Sequence, residues 1–91
     1  MIVFRRVVGK SMLPTLKPGR IVIATSIYFR LKNDDVVIIY HNGLEKVKRI
    51  QSIKNGSIFV VGDNASQSTD SNVFGWLDKS EVKAKVIWPR V

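Results

Sequence analysis

The chain has 91 residues, 45% of them hydrophobic, with a formal charge of +8 and no cysteine. That length reads as one domain, residues 1–91, near the lower end of what a single core holds without staples. Without cysteine there is no disulfide, thiolate metal site or cysteine nucleophile, and a solitary histidine, His41, argues against a histidine-based metal cluster.

In chain order, the first apolar run, Met1-Ile2-Val3-Phe4, is cut off by Arg5-Arg6, far short of the roughly 20 residues a spanning helix needs, and no signal peptide is evident. Short stretches rich in valine and isoleucine, punctuated by turn residues, predict strands at 2–8, 20–24, 35–41, 44–53, 57–61 and 82–88. Asn42-Gly43 and Asn55-Gly56 carry the positive φ values of tight hairpin turns. The runs Asp35–Tyr40 and Ile58–Val61 are continuous enough to predict strands covered on both faces. Between Val61 and Phe74 lies a polar segment, residues 63–72, which composition alone makes a flexible surface loop. Residues 78–82 are expected to form one helical turn capped by Asp78 or Ser80. The fold class is mainly β: a small, antiparallel, coiled or barrel-like β-domain.

Ser11 sits between Gly9 and Pro14, a constrained setting that presents its hydroxyl at the end of the first strand. A serine hydroxyl is a poor nucleophile at neutral pH and needs a base within hydrogen-bond reach, a role a desolvated lysine can fill. Strand alternation puts Lys46 and Lys48 on one face and Glu45, Val47 and Arg49 on the other, so periodicity does not choose between the two lysines. His41 offers a serine–histidine–aspartate alternative, although its place before Asn42-Gly43 predicts an exposed position at a turn tip.

Three segments, Gly9-Lys10-Ser11-Met12-Leu13-Pro14-Thr15-Leu16, Val47-Lys48-Arg49-Ile50, and Gly62-Asp63-Asn64 through Ser68, Asp70, Ser71 and Phe74-Gly75, resemble in order the motifs of the signal peptidase I family of serine endopeptidases. The resemblance spans roughly residues 7–86 and implies that family's β-rich catalytic fold without its large inserted domain, since only residues 50–61 separate the last two motifs. It implies Ser11 as nucleophile and Lys48 as general base, leaving Lys46 solvated nearer the hairpin tip. Ser68 would hydrogen-bond the lysine, and Asp63 and Asp70 would support the dyad, which makes the polar segment 63–72 an ordered loop that buttresses the lysine. The chain departs from the family pattern at Asn72 and Ala65, where arginine is common, and at Arg20, where an acidic residue is usual. Gly9 stands where some relatives place an oxyanion-hole serine, which leaves the Ser11 N–H as the main donor.

The implied activity is removal of an N-terminal leader or signal sequence from a protein precursor bound as an extended peptide, with no metal or organic cofactor. In compactness the chain is similar to the soluble nickel-type superoxide dismutase maturation proteases. A full-length chain of this kind would be cytoplasmic; otherwise it is a membrane-associated catalytic domain without its anchor. Two alternatives stand beside this reading. One is an autoproteolytic, repressor-type serine–lysine peptidase, disfavoured by the extended serine motif and the absence of a DNA-binding domain. The other is a non-catalytic basic β-domain binding nucleic acid or, peripherally, an anionic membrane. The basic residues are scattered and come without a recognition helix, so no specific nucleic-acid partner is expected.

Overall fold

The computed structural model describes residues 1–27 and 30–91. Its strands are β1 (Ile2–Arg6), β2 (Ile21–Thr25), β3 (Val36–His41), β4 (Leu44–Lys54), β5 (Ser57–Val61), β6 (Leu77–Asp78) and β7 (Val82–Trp88), with an α-helical turn, α1 (Ser71–Phe74), and short 3-10 turns at Ala65–Gln67 and Lys79–Glu81. They form a single open antiparallel sheet in the order β1-β2-β7-β3-β4-β5-β6. Six strands fall where valine–isoleucine runs and turn residues predict them. β6, only two residues long, is too short to leave a periodic trace.

The hairpins set the register. Asn42 and Gly43 take φ values of 51° and 77°, and Asn55 and Gly56 take 50° and 80°, so both turns bend with the twist of their strands. The first pairs His41 with Leu44 and thereby Val37 with Lys48; the second pairs Lys54 with Ser57. Arg49 faces Val61 as the last β4–β5 pair, so Leu44–Lys48 have β3 on one side and no strand on the other.

The sheet curls. β1 and β4 are separated by three strands in the sheet, yet Arg5 and Glu45 meet at 2.7 Å. One core cluster lies inside the curl, built on Val3, Val22, Val36, Ile38 and Val86, with Met12 and Leu16 from the segment after β1. A second, on the opposite face, holds Val37, Ile39, Ile50, Ile58, Val60 and Leu77. β3 feeds both clusters alternately and is buried on both faces from Val36 to Ile39, as its unbroken apolar run predicts. β5 corrects the parallel expectation: Ile58 and Val60 are buried, but Phe59 and Val61 are only half-covered, because their side of the strand has little packed on it beyond Trp76 against Phe59.

The expected turn near residue 80 is present at Lys79–Glu81, where the Asp78 carboxylate accepts from the Ser80 N–H at 2.8 Å. Among the described residues no helix is long and apolar enough to cross a membrane.

Candidate active site

Residues 9–16 leave β1 through Gly9 at φ 81°, a conformation in the left-handed region that favours glycine. Met12 and Leu16 then plunge into the first cluster, both essentially inaccessible, and the Leu16 N–H donates to the Met12 carbonyl at 2.9 Å. Ser11, between these anchors and the solvent-facing Lys10, is half-buried. Its position is fixed from across the molecule. The Asn64 N–H donates to the Ser11 carbonyl at 2.7 Å and the Asn64 amide to the Lys10 carbonyl at 3.1 Å. The Thr15 hydroxyl donates to Asp63, whose carboxylate also receives both arms of the Arg49 guanidinium at 2.9 Å. Arg49 and the Thr15 hydroxyl hold the Asp63 carboxyl below its ordinary range against the opposing effect of burial.

Lys48 lies on β4 with 3% of its surface exposed, on the face that carries Ile50 into the second cluster. Its Nζ donates to Ser68 Oγ at 2.8 Å, and Ser68 Oγ donates to Asp70 Oδ2 at 3.0 Å. Burial pushes the Lys48 amine below the usual lysine value; Asp70 opposes this and Lys46 adds to it. Burial alone would raise the Asp70 carboxyl, but the N–H groups of Gly62, at 3.1 Å, and Asn72, at 3.0 Å, outweigh it and bring the group below its ordinary value, helped by Ser68 and the Asn72 side chain. Asn72, where an arginine would have made an ion pair, thus supports Asp70 with two neutral donors. The polar segment is therefore an ordered buttress: Asp70 and Ser71 are buried, and Ser71 Oγ accepts from the Val60 N–H at 2.8 Å.

Gly62 is where the two halves touch. A Cβ at this position would lie 2.4 Å from Ser68 Oγ and 2.6 Å from the Ser11 carbonyl oxygen, so only glycine lets β5 end between the serine segment and the lysine's partner.

Ser11 and Lys48 open into one cleft of about 670 Å³, without a direct hydrogen bond between their side chains. The cleft runs between β1 with its following residues and the unpaired stretch of β4. Of the five residues singled out in the sequence, Lys48, Ser68 and Asp70 form one chain of hydrogen bonds. Ser11 faces it across the cleft, and Asp63 braces the serine segment from behind. Asn64 and Thr15 complete that brace; both stand inside the quoted motifs, but their part was legible only as motif membership.

Two expectations are corrected. His41 is not exposed at a turn tip. Its ring packs 4.5 Å from Phe74 with Nδ1 3.7 Å from Glu81, because α1 folds back over the hairpin, and it takes no part in lining the cleft. Lys46 is not simply solvated: it is half-buried, with Nζ 5.3 Å from the centre of the Phe74 ring, and it lines the cleft beside Lys48.

The curled antiparallel sheet carries a desolvated lysine and a serine-bearing turn on one cleft, and the sequence comparison gives the class: the model of the signal peptidase family, peptidase S26, matches residues 32–90. The chain belongs to that family. The matched span contains Lys48, Asp63, Ser68 and Asp70 and begins beyond Ser11. No curated relative matches the chain.

Proposed function

We propose that this peptidase is a serine endopeptidase with a Ser11/Lys48 dyad, removing an N-terminal leader from a protein precursor. The observation that carries the reading is Lys48: a lysine with 3% exposure, tethered by Ser68 and facing the same cleft as Ser11. Burial favours the neutral amine, the only form able to take a proton. Neutral Lys48 accepts the Ser11 proton as Oγ attacks the scissile carbonyl. The resulting ammonium returns that proton to the departing amine, leaving an acyl-enzyme. Lys48 then takes a proton from water, whose oxygen attacks the ester, and passes it back to Ser11 as the acid product leaves. The Ser11 N–H supports the oxyanion, Gly9 having no side chain to contribute.

The substrate enters as an extended strand. Among the described residues Leu44–Lys48 lack a strand neighbour on the cleft side and β1 pairs only with β2, so the cleft is walled by two free strand edges. Such edges bind an extended chain through its main chain and leave side chains to select.

The test is Ser11→Ala and Lys48→Met, assayed on candidate precursors with mass-spectrometric mapping of the cut. Each is expected to lower the rate by at least about a thousandfold while the protein stays folded. Most of the activity surviving in either folded variant would remove the dyad. Lys46→Met, which leaves the Lys48–Ser68–Asp70 chain in place, is expected to be far milder.

A further inference from the structure

The charge in the cleft is one-sided. Arg5, Arg6, Lys10 and Lys46 line it beside Lys48, and the one carboxylate on its walls is Glu45. That carboxylate is fully engaged: Arg5 holds it at 2.7 Å and Lys83 bonds it from β7, so its carboxyl is lowered to about 2. With Arg5 matched, the cations left over are Arg6 and Lys10 on the serine side and Lys46 on the base side. Arg6 donates to the Gly19 carbonyl and Lys46 faces the Phe74 ring; among the described residues no carboxylate bridges any of the three.

We infer that the cleft takes an acidic peptide segment, its carboxylates set against Lys46 on one wall and against Arg6 and Lys10 on the other. This deepens the peptidase reading and rests on the cleft being the peptide site. Charge complementarity decides the sign, and the walls decide the polymer. Free strand edges present main-chain donors and acceptors, and Val8, Leu44 and Val47 supply apolar surface, as an extended peptide requires. Among the described residues no aromatic side chain lines the cleft to stack a base, as a single-stranded nucleic acid would require. An acidic segment has a further effect. Lys46 adds to the lowering of the Lys48 amine, so a carboxylate placed at Lys46 also tunes the base.

The measurement is fluorescence anisotropy with labelled twelve-residue peptides that differ only in carrying Asp, Asn or Lys on each side of a central Ala-Ala. Ser11→Ala protein is used so that peptide is not consumed. The Asp peptide is expected to bind about tenfold tighter than the Asn peptide and the Lys peptide more weakly than either, with the difference shrinking in high salt. Lys46→Gln and Lys10→Gln should each remove about threefold of the preference. Lys54→Gln and Lys79→Gln, which lose the same charge outside the cleft, should remove none, with urea midpoints confirming that all four fold. Equal affinity for Asp and Asn peptides overturns the inference, as does an equal loss in the outside variants. So does displacement of the Asp peptide by a single-stranded oligonucleotide at lower concentration than by unlabelled Asp peptide. Binding does not depend on cleavage. An acidic preference without Ser11-dependent cutting would remove the peptidase reading alone; cutting without the preference would remove the inference alone.

Discussion

A buried lysine is inert unless something aims it, and at Lys48 the aiming group is Ser68. The Ser68 hydroxyl donates to Asp70 and so offers its lone pair to the amine, fixing where the amine's own lone pair can point. Ser68→Ala removes the bond to Asp70 and, with it, the one that aims the amine, worth about 0.5–1.5 kcal/mol, so kcat is expected to fall about two- to tenfold, well short of the loss from Lys48→Met. Ser66→Ala, at an exposed hydroxyl that bonds only Asn64, is the control and should leave the rate unchanged. Equal, negligible effects at both would strip Ser68 of its part. Gly62→Ala tests the same geometry from behind. The added methyl must displace Ser68 or the Ser11 carbonyl, and overpacking of this kind costs about 1–3 kcal/mol. Activity should therefore fall by more than in Ser68→Ala, accompanied by a lower thermal midpoint in calorimetry.

Among elements, what matters is where β5 stops. β4 pairs with β3 up to Arg49 and with β5 from Arg49 onward, and the catalytic face begins at that step. Arg49 secures the junction. Besides Asp63, it donates to the carbonyls of Asp34 and Val91, tying the serine segment's brace to the start of β3 and the end of the chain. Arg49→Leu strands a half-buried carboxylate. We expect a loss of about 2–3 kcal/mol in urea unfolding, and a drop in activity at permissive temperature as the Thr15–Asp63 contact loosens. Much of this arrangement was legible beforehand. Valine–isoleucine runs and two Asn-Gly turns fix six strands and both hairpin registers. Alternation, however, placed Lys46 and Lys48 on one face and went no further, because what separates them is the end of β5 and the arrival of Ser68, both non-local. His41 was misjudged for the same reason: a turn sequence does not announce that α1, more than 25 residues later, will cover it. Composition alone made the polar segment loose surface, and only the family resemblance made it an ordered buttress, since its satisfaction by Gly62 and Val60 main-chain donors leaves no compositional trace.

For the whole molecule, the buried charges predict an asymmetric dependence of stability on pH. The Asp63 and Asp70 carboxyls lie below their unfolded values, so the stability they contribute is complete above the ordinary carboxylate range. It is lost as pH falls through their lowered folded values. Lys48 works in the opposite range. Its folded value is depressed, so between that value and the unfolded one, near 10.4, the unfolded chain binds the extra proton and stability rises with pH. Lys48→Met is therefore expected to be more stable than the parent at neutral pH, with the gap closing as pH climbs. Urea midpoints from pH 6 to pH 10 check this, and a parent curve that is flat or falling in that range would contradict it. The unpaired half of β4 has one more consequence, visible without any assay of cleavage. Amide hydrogens along Leu44–Lys48 that point away from β3 have no acceptor strand, whereas those from Arg49 onward are shared with β5. In deuterium exchange the amides on that side of the strand should thus label quickly up to Lys48 and slowly from Arg49 onward. Adding a peptide that docks along the cleft should slow the first set selectively, turning the border at Arg49 into a direct gauge of occupancy.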